Sequence, residues 1–253
     1  MADSRPVILS GLNGLRAVAA IAVVLAHTML TGMGDFGFPV SIDLPLAEFG
    51  VTLFFVISGF LITYLLLLEK DKGGVHVRHF YIRRILRIWP IYYLFIIVCM
   101  IAGFFSLIPG EIFSPALSWY LFFAANIPFI LGGSILILVH FWSIGVEEQF
   151  YLFWPWIVKF SGRNLLMIAL SVFLLLFLVK SVLWYSMGNQ YWAYKAISVT
   201  RFHCMMIGAI GAILHKSRNG LFTRILLNKW VQATSWPLFL ALGINLVRLP
   251  APV

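Results

Sequence analysis

Two ionisable residues, Arg16 and His27, interrupt an otherwise apolar stretch at residues 12–31. On a helix of 3.6 residues per turn both lie on one stripe, about 16 Å apart along the axis. An imidazole titrates near neutral pH and is the commonest general base. Because ionisable residues inside a membrane span are costly and mark functional sites, we interpret the pair as a polar track. The alternative is a histidine that is simply hydrogen-bonded between helices.

A second candidate is the segment HFWSIGVEEQFYLFWP at residues 140–155, which carries Glu147 and Glu148. Ser143 and Glu147 are four positions apart and share a helix face, whereas Glu148 is turned about 100° away. A pair formed by Glu147 and His27 would hold the imidazole in one tautomer and raise its basicity. The alternative is that one glutamate lowers its burial cost by pairing with a cation, and the candidates are Arg16, Arg201 and Lys180.

A third candidate is the arginine cluster Arg83, Arg84 and Arg87. Arg84 and Arg87 are three positions apart and point the same way on a helix, and guanidinium groups suit phosphate oxygens. The alternative is that these cations orient the protein and contact anionic lipid, which the charge rule alone favours.

The small residues and the two cysteines do not indicate a separate reactive site. Ser58 and Gly59 form a small pair in an apolar run, a pattern typical of close helix packing. Cys99 and Cys204 lie in separate apolar runs and indicate neither a disulfide framework nor a metal site. We therefore expect no metal and no permanently bound cofactor.

The composition indicates what positions these residues. The chain has 253 residues, 62% hydrophobic and 11% charged, which is typical of a polytopic membrane protein. Backbone groups in lipid must be satisfied internally, and the apolar runs show no alternation of period two, so helices are predicted. The net charge of +9 sits mostly in short connectors, a membrane-orienting pattern, and does not indicate nucleic-acid binding.

The predicted fold is an all-α transmembrane helix bundle forming one membrane-embedded domain over residues 1–253. We expect a re-entrant segment at 114–138 and about seven spans, at 12–31, 46–68, 89–107, 141–158, 164–183, 196–214 and 230–247. The connector at 69–87 is the most basic, so the positive-inside rule places it and the N-terminus in the cytoplasm. This predicts a multi-pass protein of the cell membrane, with a bacterial inner membrane favoured.

Five blocks, taken together, resemble the acyltransferase 3 family of integral membrane acyltransferases. They are LNGLRAVAAIAVVLAH, GVTLFFVISGFLIT, FYIRRILRIWPIYY, FWSIGVEEQFYLFWP and, more weakly, RFHCMMIGAIGA, in the family's order. Family members usually have about ten spans, so we expect this chain to be shorter than a complete member.

The resemblance implies transfer of an acyl group, often acetyl, from an acyl-CoA donor to a hydroxyl. The acceptor in such families is commonly a saccharide or a cell-envelope glycan. Arg16 and His27 match the family's Arg and His pair, Arg84 and Arg87 match its cytoplasmic arginine pair, and Glu147 matches the glutamate of its Ser-x-x-x-Glu block.

We accordingly expect an O-acyltransferase with His27 as base, Glu147 orienting it, and Arg16 stabilising the oxyanion or holding the donor. Arg84, Arg87 and Arg83 would bind the donor phosphates, and the supporting residues would be Ser143, Ser58 and Arg201. Direct transfer and a covalent acyl intermediate both remain open at this stage.

Two other functions fit the same residues. A proton-coupled transporter or flippase could use the same polar track, and discontinuous helices are also common at transporter sites. Transporters usually have paired halves, and this sequence shows no internal repeat. A membrane scaffold is disfavoured by the buried charges.

Overall fold

The fold is taken from a computed structural model that describes residues 11–31, 46–108, 110–188 and 192–217, with 220, 224–225, 228–231 and 233–235. All regular elements in these ranges are helical, as predicted. The α-helices are α1 (Leu12–Thr31), α2 (Leu46–Asp71), α3 (Val77–Phe104), α4 (Leu117–Leu121), α5 (Asn126–Leu131), α6 (Phe141–Phe160), α7 (Leu165–Met187), α8 (Trp192–Thr200) and α9 (Phe202–Lys216). Two short 3-10 turns, Gly110–Phe113 and Leu136–Leu138, flank α4 and α5.

Four helical segments in the described ranges are long and apolar enough to cross a membrane. They are Leu46–Asp71, Val77–Phe104, Leu165–Met187 and the combined Trp192–Lys216. The multi-pass character is therefore confirmed, but the count of seven spans is not. The expected span at 230–247 lies mostly outside the described residues. Residues 114–138 form short helices, and a re-entrant course for them stays a prediction.

Helix α3 begins earlier than the sequence predicts. The expected start at residue 89 is wrong, because α3 starts at Val77 and carries Pro90 inside the helix. The basic segment at 69–87 is thus mostly helical, and its non-helical part is confined to residues 72–76. The basic residues of this segment predict a connector between spans, whereas in the structure they form the first part of α3.

The chain divides into two compact units, and α2 contributes to both. In the first, which includes residues up to Ile57, α1 packs closely on the beginning of α2. A Cβ added at Gly50 would lie 2.6 Å from the carbonyl oxygen of Ala19. Ala19, Ala22 and Ala26 are buried along one face of α1. A single domain over the whole chain stays a prediction.

The second unit, residues 58–217, contains the larger described core. Its centre between α3 and α6 is aromatic, with the ring of Tyr92 stacked on Phe123 at 4.3 Å and on Phe141 at 4.4 Å between centroids. On α2, Gly59 packs directly on the backbone of α9, where an added Cβ would lie 2.1 Å from the carbonyl oxygen of Met205. This contact confirms the close helix packing predicted for the Ser58–Gly59 pair.

Candidate functional site

The carboxylate of Glu147 is the centre of a polar network inside the second unit. The hydroxyl of Ser58 donates to Glu147 Oε1 over 2.7 Å, and the hydroxyl of Tyr151 donates to Oε2 over 3.0 Å. Arg84 Nη2 donates to the same Oε2 over 3.1 Å. Three donors from α2, α3 and α6 therefore fix one carboxylate in a single orientation.

Arg84 joins both glutamates of α6. Its Nε donates to Glu148 Oε1 over 3.1 Å while Nη2 binds Glu147. Its guanidinium carbon lies 3.8 Å from the centroid of the Tyr151 ring, within cation–π distance. The Arg84 side chain is 15% exposed, and the two glutamate side chains are 22% and 13% exposed. A charged group that is so poorly hydrated needs these partners.

Local sequence explains how α6 presents this network. Glu147 and Tyr151 are four positions apart and share one face of the helix. Gly145, two residues before Glu147, allows close approach, because an added Cβ there would lie 2.7 Å from the carbonyl oxygen of Phe123. Further along, Trp154 Nε1 donates to the hydroxyl of Thr63 on α2 over 2.8 Å, and both side chains are fully buried. The α2–α6 pairing is thus fixed near the carboxylate.

Other predicted residues of this unit lie outside the network. Ser143 donates its hydroxyl to the carbonyl of His140 over 3.1 Å. Arg83 forms an ion pair with Glu69 at 3.3 Å and its side chain is 64% exposed. Arg87 is exposed as well. The joint role of the three arginines in binding donor phosphates stays a prediction.

Arg16 and His27 belong to the first unit, and their surroundings within that unit are as follows. Arg16 is partly buried and His27 is exposed. The Nδ1 atom of His27 lies 2.8 Å from the carbonyl oxygen of Val23, one turn back on α1. If Nδ1–H donates this bond, the lone pair is on Nε2, the form a general base requires. The expected pairing of His27 with Glu147 stays a prediction.

Arg201 separates α8 from α9. Its backbone has φ +46° and ψ +28°, a left-handed conformation that is uncommon for an arginine. His203 follows in the first turn of α9 and is 8% exposed. No glycine or proline precedes this break, so the sequence did not predict it.

Two features of the network were not expected from the sequence. Tyr151 is not among the candidate residues predicted from the sequence, although its spacing of four from Glu147 places both on one helix face. The pairing of Arg84 with both glutamates was also missed, since Arg84 was assigned to phosphate binding. Helix periodicity gives the face of a residue but not the neighbouring helix.

Taken together, these helices define a multi-pass membrane protein with a partly buried Arg–Glu–Glu cluster. Residues 9–250 match the protein family described as "Acyltransferase domain". The chain belongs to this acyltransferase family, as the resemblance of its motifs predicted.

Among the relatives, "Putative O-acetyltransferase SACOL0978" of Staphylococcus aureus (strain COL) is 32% identical over 248 residues, covering 90% of this chain and 35% of that protein. "O-acetyltransferase OatA" of Staphylococcus aureus (strain NCTC 8325 / PS 47) is 29% identical over 227 residues, covering 83% of this chain and 35% of that protein. The chain thus spans about a third of the length of these relatives. No solved structure matches the chain.

Proposed function

We propose that this chain is the membrane-embedded part of an O-acyltransferase. The donor is acyl-CoA, with acetyl as the acyl group, and the acceptor is a hydroxyl of a saccharide or cell-envelope glycan. The observation that carries the proposal is the family match over residues 9–250, supported by relatives whose names include O-acetyltransferase. A buried ionic cluster in a membrane bundle, which is costly to maintain, also favours a site over a purely structural role.

In this proposal His27 is the general base. Its Nε2 accepts the proton of the acceptor hydroxyl while that oxygen attacks the thioester carbonyl carbon. The carbon–sulfur bond then breaks, the acyl group stays on the acceptor oxygen, and the CoA thiolate takes up a proton. Arg16 stabilises the negative oxygen that forms during attack, or holds the donor. The short distance from Nδ1 to the carbonyl oxygen of Val23 supports this role, because it suits the tautomer that carries its proton on Nδ1.

Donor phosphates bind the exposed arginines in this scheme. Arg84 faces two carboxylates, which leave little of its positive charge for a phosphate. We therefore assign it to positioning Glu147 and Glu148. Arg83 and Arg87 are exposed, and a surface ion pair such as that of Arg83 with Glu69 contributes little stability and is readily exchanged. Arginine also suits phosphate geometry better than lysine does.

The proposed orientation has the N-terminus in the cytoplasm of a bacterial cell, with the protein in the cell membrane. Basic residues concentrate between the end of α2 and the middle of α3, among them Lys70, Lys72, Arg78, Arg83 and Arg87. Membrane proteins keep such connectors inside. To test this, a cysteine is introduced at Lys72 and intact cells are treated with a membrane-impermeant thiol reagent. In the proposed orientation this cysteine is not labelled, and efficient labelling would show the opposite orientation.

The test is acetyl transfer by the full-length protein in a bilayer. Purified protein is incubated with radiolabelled acetyl-CoA and envelope extract, and the labelled product is identified. His27→Ala should reduce the rate by at least about a hundredfold, which is the lower range for loss of a general base. His79→Ala is the matched control, since His79 is an exposed histidine on α3. A rate unchanged by His27→Ala overturns the base assignment, and absence of any labelled product overturns the proposed function.

The order of steps is measured in the same assay. A covalent acyl intermediate gives ping-pong kinetics and a protein-bound label in the absence of acceptor. Direct transfer gives intersecting kinetics and no protein-bound label.

A further inference from the structure

The break between α8 and α9 lies within a single membrane-spanning segment, Trp192–Lys216. The amide of Arg201 still donates to the carbonyl of Ile197 over 3.2 Å, so the chain remains helical up to the break. A left-handed conformation is strained for a non-glycine residue and persists where the surroundings require it. The break creates a half-helix whose N-terminus carries partial positive charge inside the bundle, as in transporter sites for anions.

Two buried polar atoms flank this break. The Nδ1 atom of His203 has no hydrogen-bond partner among the described residues, and its side chain is more than nine-tenths buried. The hydroxyl oxygen of Ser198, on the preceding turn of α8, is also buried and has no partner within the described part of the chain, while the residue as a whole is partly buried. Burying such a group without a hydrogen-bond partner is unfavourable. A ligand with oxygen atoms would remove both costs.

The surroundings of this break are cationic. Lys180 of α7 and Arg201 both lie within electrostatic range of His203 and of Cys204. The N-terminus of α9 is thus surrounded by two cations, a buried hydroxyl and a buried imidazole. Groups of these types bind carboxylate or phosphate oxygens.

We propose that Lys180, Ser198, Arg201 and His203 bind an oxyanion of the acyl acceptor, which makes the acceptor an acidic saccharide. This rests on the proposed function and its orientation. With the start of α7 on the cytoplasmic side, Lys180 lies about 22 Å along a helix that rises 1.5 Å per residue. That is the outer half of a hydrocarbon core about 30 Å thick, away from a cytosolic donor.

The test measures binding without any donor. The purified full-length chain is placed in phosphatidylcholine nanodiscs, and Tm is followed by tryptophan fluorescence against D-glucuronate, with D-glucose and sodium chloride at matched ionic strength as controls. A ligand that binds the folded state raises Tm in a saturable way, from which Kd follows. Inorganic phosphate serves as a second oxyanion. We expect glucuronate and phosphate, but not glucose, to raise Tm.

Substitutions assign the response to the cluster. Lys180→Gln and Arg201→Gln should each raise Kd about tenfold or more, because each removes a charge-assisted hydrogen bond. Lys180→Arg and Arg201→Lys should retain most of the affinity and show that charge, not folding, is decisive. Lys159→Gln, an exposed lysine at the end of α6, is the matched control and should leave Kd unchanged.

Three outcomes decide the proposal. Absence of any effect of glucuronate and phosphate beyond that of chloride overturns it, as does an equal Kd in all variants. If phosphatidylglycerol in the nanodisc abolishes the glucuronate response of the wild type, a lipid headgroup fills the site and the assignment to the acceptor is overturned. Because no donor is present, failure here is distinct from loss of acetyl transfer in the His27→Ala assay.

Discussion

Tyr151 and Arg84 are in direct contact and share an acceptor: the guanidinium lies on the tyrosine ring, and both side chains donate to Glu147 Oε2. The ring covers the face of the cation while the hydroxyl shares its acceptor. The position of the arginine is therefore set by α6 through three side chains, although the arginine itself is on α3.

Removing Arg84 should destabilise the protein far more than removing Arg83. Arg84→Ala leaves two poorly exposed carboxylates without their cation, and we expect a loss of about 2–4 kcal/mol in the free energy of unfolding. Arg83→Ala breaks an exposed pair with Glu69, for which the loss should be under about 1 kcal/mol. Thermal unfolding in detergent, followed by tryptophan fluorescence, measures both. Equal losses would show that the Arg84 cluster is not a stabilising ion pair.

Tyr151 offers a way to separate the hydrogen bond from the ring contact. Tyr151→Phe removes only the donor to Glu147 and should cost about 1 kcal/mol, whereas Tyr151→Leu also removes the aromatic face and should cost about 1–2 kcal/mol more. The same unfolding measurement compares the two variants. If Tyr151→Phe were as damaging as Tyr151→Leu, the cation–π contact would contribute nothing.

The buried bond between Trp154 and Thr63 should behave as a coupled pair. Thr63 also donates to the carbonyl of Gly59 over 2.7 Å, so its hydroxyl both accepts and donates. Trp154→Phe and Thr63→Val should each cost about 1–3 kcal/mol, because each leaves a buried polar group unpaired. In a double-mutant cycle the two changes should be non-additive by at least about 0.5 kcal/mol. Strict additivity would contradict the bond.

Gly59 should not tolerate even a methyl group. Its added Cβ would meet backbone, not a flexible side chain, so Gly59→Ala must move α2 or α9 and should cost about 3 kcal/mol or prevent folding. Gly14→Ala on α1 is the matched control, because nothing lies within 4 Å of the added Cβ. That change should be neutral or stabilising by up to about 1 kcal/mol, since alanine favours helix. Expression level and Tm of both variants provide the comparison, and a wild-type Tm for Gly59→Ala would rule out the close packing.

Hydrophobic run length predicted α2, α6 and α7 to within a few residues, because spanning length and helix geometry leave little freedom. The sequence did not predict the start of α3 or the break between α8 and α9, because no residue type marks either position. The basic residues at 69–87 predict a connector, although α3 already begins at Val77 within that segment. The left-handed turn at Arg201 is preceded by neither glycine nor proline, so the sequence gives no sign of it. The choice of Glu147 and Arg84 as site residues came from the sequence. The ion pair between Arg84 and Glu147 could not be predicted from the sequence, because it depends on which helices are adjacent.

The contact between Gly59 and the backbone of Met205 has a mechanical consequence. At this point main chain lies against main chain, with no side chain between them that could deform. Any closer approach of α2 and α9 would therefore require the backbone of one of the two helices to shift.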